Sequence, residues 1–235
     1  MENFSAILAE AIGLILAGDP TMIAIILLSL KVTLTAVAVS CVIGYPLGAM
    51  IGAFRFPLRT PIIVVLNTMM GLPPVVVGLV VYLMLSAAGP LGPLRLLYTP
   101  TAMIIAQTIL VTPIIAALTR QTIEDLHMEY AEQFASLGVG PWRRVAALLW
   151  DARYSLLTVA LAGFGRAAAE VGAVIIVGGN INHVTRVMTT TIALETSKGN
   201  LELALALGLV LLTIAMFVNG LVYAIRGSAA RAAYA

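Results

Sequence analysis

The chain has 235 residues, of which 61% are hydrophobic and only 10% charged, with a formal net charge of +2. Soluble domains average about 45–50% apolar and about 25% charged residues, so this composition excludes an ordinary soluble domain and indicates a protein surrounded by lipid. The small net charge, without a run of Lys or Arg, does not indicate a nucleic-acid-binding surface. The single cysteine, Cys41, can form no internal disulfide, and its apolar surroundings predict a small core residue.

The N-terminal segment, residues 1–20, predicts a helix that lies on the membrane. Residues 4–17 are apolar, but a helix needs about 20 apolar residues to cross the hydrocarbon layer. A segment of this length is better suited to the membrane interface. Glu2 stands where a signal peptide would have basic residues, so we expect the first complete span to act as an uncleaved insertion signal.

Five apolar segments are each long enough to form a crossing helix, the structure that leaves no backbone amide unpaired in lipid. They cover residues 22–54, 61–88, 101–118, 156–178 and 203–225. With the long connection at 119–154, these segments predict an all-α transmembrane domain over residues 21–226, followed by a tail at 227–235.

The distribution of arginine predicts how the chain is oriented. Positive residues remain on the cytoplasmic side of a membrane, and one set of connections holds most of them. With five spans, this places the N-terminus outside and the tail in the cytoplasm. The set comprises Arg55, Arg59, Arg120, Arg143, Arg144, Arg153, Arg226 and Arg231.

The second predicted span contains a break. Met69 and Met70 precede a Gly-Leu-Pro-Pro sequence, and proline removes a backbone donor and clashes with the preceding helical turn. Because broken helices line the paths of transporters, Met69, Met70, Pro73 and Pro74 are candidate gate residues. A kink that serves only packing explains the same pattern.

The connection at 119–154 predicts two short helices separated at 138–141. Apolar residues recur at three-to-four spacing in the first helix, which gives it one apolar face. Proline at the start of the second suits a first helical turn. Such a hairpin is suited to docking into a groove of another protein, although a hairpin that packs only on its own spans fits equally well. The apolar face of the first helix comprises Leu126, Tyr130, Phe134 and Leu137.

Arg166 and Glu170 are the two charges of the fourth predicted span. An exposed charge at the membrane centre costs at least about 2.5–3.5 kcal/mol, so both should face the protein interior or a watery path. A spacing of four places them on one face of a continuous helix, where they could pair. Two interpretations are open: a structural latch, or an anion path lined by Arg166.

Asn180, His183 and Arg186 lie between the last two predicted spans, on the predicted outer side. Side chains of this kind, with several neighbouring threonines, can donate hydrogen bonds to an oxyanion. The same region would also meet any extracytoplasmic partner. We therefore expect either anion contact or partner contact here.

Residues 132–151 resemble the loop by which ABC importer permeases dock on their ATPase subunit. The family pattern is E-A-A, three residues, Gly, nine residues and I-x-L-P, and Glu132, Gly138 and Leu148 match its Glu, Gly and Ile. The departures are Gln133 and Phe134 at the two alanines and Trp150-Asp151 at Leu-Pro. The resemblance implies ATPase coupling by Glu132, Phe134, Leu137, Gly138, Gly140, Pro141 and Leu148.

Three further segments resemble permeases for molybdate and tungstate. They are LPPVVVGL at 72–79, GFGRAAAEVGAVIIVGGNI at 163–181 and HVTRVMTTTIALETSKGN at 183–200. The last of these looks most like the tungstate branch. Together with the loop, the matches extend over about residues 31–219 and identify the chain as a member of the ABC importer permease family.

The resemblance implies a type I importer fold of five spans in the inner membrane of a bacterium or archaeon. It implies a homodimer in lipid, an ABC ATPase partner that binds ATP-Mg, and an extracytoplasmic solute-binding protein. No G-x-x-x-x-G-K-[ST] phosphate loop is present, so we expect neither catalysis nor a cofactor or metal in this chain, and no nucleic-acid partner. Tungstate is the favoured cargo, with molybdate and then sulfate as alternatives. An ion-gradient-driven transporter is a rival function, and an intramembrane enzyme is disfavoured because no nucleophile or metal set is present.

Overall fold

The computed structural model describes the backbone of residues 4–233 and the side chains through residue 225. The ends of the predicted N-terminal segment and tail, residues 1–3 and 234–235, lie outside the described residues. The described part is all helical, which confirms the predicted class. Its α-helices are α1 (Phe4–Ala17), α2 (Pro20–Ala53), α3 (Arg59–Met70), α4 (Pro74–Leu85), α5 (Pro100–Glu129), α6 (Ala131–Ser136), α7 (Pro141–Asp151), α8 (Arg153–Ala168), α9 (Gly172–Gly178), α10 (Met188–Lys198) and α11 (Leu201–Ala233), with a short 3-10 helix at Gly92–Leu94.

Helices α2, α5 and α11 are each long and apolar enough to cross a membrane. Two helix pairs reach that length only together: α3 with α4, bent by 99°, and α7 with α8, bent by 72°. The described residues thus offer three candidate spans, or up to five if each bent pair forms one. The five-span count stays a prediction.

The fourth predicted span is not one helix, so the argument that placed Arg166 and Glu170 on a single helical face was wrong. Helix α8 ends at Ala168 and α9 begins at Gly172, which leaves Glu170 in the break. Side-chain hydrogen bonds satisfy backbone groups on both sides of this break. The amide of Gln107 donates to the Ala167 carbonyl at 3.2 Å, and the Ala173 N–H donates to the Glu170 carboxylate at 3.0 Å.

The first of the two helices predicted within residues 119–154 does not exist as a separate helix, because its residues are divided between α5 and α6. Helix α5 continues to Glu129 and includes Leu126, whereas Tyr130 interrupts the helix and Phe134 belongs to the short α6. The apolar residues therefore do not share one helix face. The predicted break after α6 is confirmed, because Gly138 has a φ of +59° and α7 begins at Pro141.

The chain divides into two compact units. The first comprises the chain up to Ala36, with Pro73–Gln107 and Ala167–Asn219. Its core joins α1, α2, α10 and α11, and Ala11 of α1 is fully buried in it. The other buried members of this core are Met22, Ile25, Met188, Ala206 and Leu207.

The second unit comprises Val37–Leu72, Thr108–Arg166 and the chain from Gly220. Within it, glycines spaced four apart on α2 let that helix approach α5 closely, as small residues do at helix interfaces in membranes. A Cβ added at Gly48 would lie 2.4 Å from the Ala116 carbonyl oxygen, and one added at Gly44 would lie 2.7 Å from the Ile115 side chain. These two helices consequently form the packed centre of the second unit.

Candidate functional site

The hairpin formed by α6 and α7 presents large apolar side chains on its surface. Leu137, Trp142 and Trp150 are 76%, 66% and 71% exposed. On the opposite face of α7, Val145 and Leu148 are buried. Apolar side chains exposed together in this way mark a contact surface for another protein.

Each residue assigned by resemblance to ATPase coupling lies in this hairpin, but not all are accessible. Glu132, Gly138, Gly140 and Pro141 are exposed with Leu137, and Phe134 is half-buried. Leu148 is fully buried, so it packs the hairpin and is not part of its exposed surface. The sequence reasoning missed Trp142, whose position on the outer face of an amphipathic helix was the available signal.

Contacts within the second unit hold the hairpin in place. The ring of Trp142 meets that of Phe54, at the end of α2, edge to face at 5.6 Å. The Tyr130 hydroxyl donates to the Asp151 carboxylate at 2.9 Å, and this bond raises the pKa of Tyr130 above its ordinary value. The Arg144 side chain donates to the Val139 carbonyl at 2.6 Å, across the glycine break. These three contacts therefore hold the base of the hairpin, its turn and its junction with the end of α2.

An ion-pair network lies in the second unit, among residues of α2, α3 and α5. The Glu124 carboxylate accepts hydrogen bonds from Arg59 at 2.8 Å and from Arg120 at 2.5 Å, and all three side chains are partly buried. Arg59 also donates to the Ile51 carbonyl at 2.8 Å. The network joins the end of α2, the start of α3 and the end of α5.

The predicted break in the second span is confirmed between Met70, where α3 ends, and Pro74, where α4 begins. Pro74 occupies the first turn, where its missing N–H is not needed, and Pro73 precedes it in an extended conformation. Met69 and Met70 are half-buried at the end of α3. The gate role of these residues stays a prediction.

The starts of α4 and α9 lie side by side in the first unit. A Cβ added at Gly172 would lie 3.0 Å from the Val75 side chain, and one at Gly78 would lie 2.7 Å from Cα of Ala173. Glu170, buried beside them, accepts the hydrogen bond that begins α9, and its own carbonyl accepts one from Thr189 at 2.9 Å. These contacts favour the latch interpretation for Glu170. Arg166 lies in the last turn of α8 and is half-buried.

The connection between α9 and α10 lines a small, partly open pocket with both apolar and polar walls. Its cavity of about 130 Å³ lies between this connection and the first turns of α2. Its polar lining is Thr21, Asn182, His183 and Arg186. Asn180, predicted with His183 and Arg186, is not in the lining, since its side-chain oxygen accepts a hydrogen bond from Thr190 at 2.9 Å. Asn182 and Thr21 were missed, because only the folded loop brings them beside Arg186.

A second polar cavity, of about 300 Å³, lies between α5 and α8 in the second unit. Gln121, Thr122 and Asp125 of α5 line it with Ser155 and Thr158 of α8. The sequence reasoning missed it, although polar residues at helical spacing on two apolar helices were the signal. Among the described residues, no group of three or more His, Cys, Asp or Glu side chains could hold a metal ion.

Residues 44–229 match the model of the family described as binding-protein-dependent transport system inner membrane component. The chain belongs to this family. It is 41% identical over 226 residues to the tungstate uptake system permease protein TupB of Peptoclostridium acidaminophilum, which covers 96% of this chain and 99% of that protein. It is 40% identical over 166 residues to TupB of Campylobacter jejuni, with 71% and 70% covered. The molybdenum transport system permease protein ModB of Azotobacter vinelandii is 26% identical over 178 residues, with 72% and 79% covered.

Family membership confirms the resemblance drawn from the sequence and identifies an integral membrane component of a transport system. It also gives the exposed hairpin a context. A membrane component of a binding-protein-dependent system has other subunits to contact, and the α6–α7 surface is large and apolar enough to be one such contact. The matched region includes the hairpin, both helix breaks and the α9–α10 connection, whereas the α2 residues that line the pocket lie before it.

Proposed function

We propose that this chain is the membrane-spanning subunit of an ATP-driven importer of tungstate. Two copies, each with five spans, would form the path, with the N-terminus outside and the C-terminus in the cytoplasm. A separate ATPase subunit would bind ATP-Mg and hydrolyse it, and an extracytoplasmic binding protein would deliver the anion. The chain itself would contribute no catalytic group and no cofactor.

The observation that carries this proposal is the exposed apolar hairpin joined to α2 and α5. An ATPase that moved the hairpin would pull on Phe54 through Trp142 and on the end of α5 through α6. Alternating access follows: ATP binding brings the two hairpins together and opens the path outward, and hydrolysis restores the inward-facing state. The broken helices, α3–α4 and α8–α9, are the segments whose residues change neighbours most easily.

Tungstate is favoured over molybdate and sulfate because the two TupB relatives share 40–41% of residues with this chain, against 26% for the molybdenum permease. The anions are similar doubly charged tetrahedra. Selection among them would reside mainly in the binding protein, so the cargo is tested on the assembled complex and not on this chain alone.

The role of the hairpin in coupling ATP hydrolysis to transport is tested by Gly138→Val, with Gly140→Ala as the matched control. Gly138 has a φ of +59°, which a β-branched residue adopts only with strain of roughly 1–2 kcal/mol. Gly140 has a φ of −66°, and a Cβ there meets nothing within 4 Å, so Gly140→Ala adds a methyl group to the same loop without backbone strain and isolates the effect of the strain at Gly138. The assay uses proteoliposomes that contain the permease, the ATPase and the binding protein. We expect the complex with Gly138→Val still to hydrolyse ATP but to take up about tenfold less tungstate per ATP, which corresponds to a loss of roughly 1.4 kcal/mol in coupling.

Two outcomes would contradict the proposal. Uptake that persists without ATP or without the ATPase subunit would favour an ion-gradient-driven transporter. If the complex with Gly138→Val took up the normal amount of tungstate per ATP, the hairpin would not couple ATP hydrolysis to transport. ATPase stimulation by the binding protein loaded with tungstate, molybdate or sulfate would rank the three anions.

A further inference from the structure

We propose that the pocket between the α9–α10 connection and α2 binds a small tetrahedral oxyanion, with Arg186 as its principal ligand. The inference rests on the proposed function for the class of anion. It adds a binding site within this chain, separate from any site in a partner protein.

The Arg186 guanidinium has donor capacity that its neighbours do not use. One terminal nitrogen donates to the Asn182 side-chain oxygen at 3.2 Å. The Nε–H of the same group is buried, and within the described part of the chain it meets no acceptor. That nitrogen is not open to the pocket, but Arg186 lines it, and the terminal N–H groups of a guanidinium form a planar set that matches the oxygens of an oxyanion. The pocket therefore favours an acceptor ligand with negative charge.

Glu195 forms no hydrogen bond with Arg186 among those of the described residues. Glu195 accepts hydrogen bonds from Lys198 at 2.9 Å and from Asn200 at 3.1 Å. The bond from Lys198, that from Asn200 and the more distant charge of Arg186 together lower the pKa of Glu195. Because Glu195 already has these two closer partners, Arg186 retains positive charge for a ligand.

The loop that carries Arg186 is held in one conformation. The backbone N–H groups of Thr185 and Arg186 both donate to the Ile181 carbonyl, at 3.0 and 3.1 Å. The Thr185 hydroxyl donates to the Gly178 carbonyl and accepts from the Ile181 N–H. His183 adopts a φ of +60°, an unfavourable conformation that these bonds maintain. A ligand would therefore find its donors already in position, at little cost in ordering.

The dimensions limit the ligand. A cavity of about 130 Å³ is many times the roughly 15 Å³ that one water needs, and it accommodates an anion of four oxygens. On the α2 side, Ala24, Ile25 and Leu28 are apolar and Thr21 is the one polar lining residue, so this side offers few partners to a larger polyanion. With one full positive charge among its lining residues, the pocket is expected to bind an anion weakly. Such weak binding suits an anion that is passed on.

The test uses thiol reactivity in the permease reconstituted without partner proteins. Cys41 is the single native cysteine, so Cys41→Ala gives a thiol-free background, into which His183→Cys places a thiol at the pocket. We expect a thiosulfonate reagent that carries a negative sulfonate group to react with this thiol faster than the analogue that carries a positive trimethylammonium group. Sodium tungstate or sulfate at tens of millimolar should slow the sulfonate reaction several-fold at constant ionic strength, which removes general screening as a cause.

Arg186→Gln in the same background should abolish both the preference for the negative reagent and the protection. The matched control is Ser197→Cys, an exposed position beside Lys198 on α10, where we expect no protection by oxyanions. Protection that survives Arg186→Gln, or that chloride reproduces at equal ionic strength, would overturn the inference.

The experiment separates the two proposals because it needs neither ATP nor a partner. Protection at position 183 without ATP-driven uptake by the complex would support the pocket and contradict the proposed function. ATP-driven uptake without protection would leave the proposed function intact and refute the pocket.

Discussion

The close packing of α2 on α5 predicts that Gly48→Ala destabilises the protein. The added Cβ would stand 2.4 Å from the Ala116 carbonyl oxygen and 2.7 Å from Cβ of Thr119, about 1 Å short of ordinary contact near 3.5 Å. Overpacking of this kind costs about 1–3 kcal/mol. The better helix propensity of Ala returns up to about 1 kcal/mol, so we expect a net loss of about 1–2 kcal/mol.

The control is Gly208→Ala on α11, where a Cβ meets nothing within 4 Å. Thermal unfolding of the purified permease in detergent, followed by circular dichroism, compares the variants. At about 2–4 °C per kcal/mol for a chain of this size, Gly48→Ala should unfold roughly 2–8 °C below the wild type, and Gly208→Ala at or above it. Equal unfolding temperatures for both variants would show that α2 and α5 are not in the contact described.

Two further predictions concern single hydrogen bonds. Glu170→Ala should lower stability by about 0.5–2 kcal/mol, because Ala173 loses the acceptor at the start of α9, and Glu170→Gln, which keeps an acceptor, should recover most of it in the same unfolding assay. Tyr130 has a pKa raised above 10 by its bond to Asp151, so that bond contributes fully below pH 10 and is lost as the pH rises through the raised value. Limited proteolysis of the hairpin should therefore accelerate at high pH in the wild type, whereas Tyr130→Phe should be cleaved at the faster rate already at neutral pH; a pH-independent wild-type rate would contradict this.

The features that the sequence predicted correctly depend on local chemistry. Pro73 and Pro74 cannot continue a helix whatever surrounds them, so the break after α3 could be located to within a residue or two. Gly138 permits a positive φ that other residues avoid, and its position between two helical segments fixed the hairpin turn. Apolar length alone was enough to find the helical membrane class.

The features that it missed depend on tertiary contacts. The break at Glu170 interrupts Ala-Ala-Ala-Glu, a sequence with strong helix propensity. The side chain of Gln107, 60 residues away in the chain, binds the Ala167 carbonyl at the end of α8, and no local pattern predicts this contact. The same holds for the α9–α10 pocket, where Asn182 and Thr21 come from distant segments.

The close contact between Gly78 and Ala173 bears on the leakage of ions across the membrane. Two helix backbones that approach this closely leave no room for a file of water between them, and without water neither protons nor sodium ions can leak along that seam. Each charge that slipped through would dissipate about 2.3 kcal/mol for every 100 mV of membrane potential. In a membrane that α4 and α9 cross, small residues at this contact would thus act as insulation at the place where both helices are interrupted.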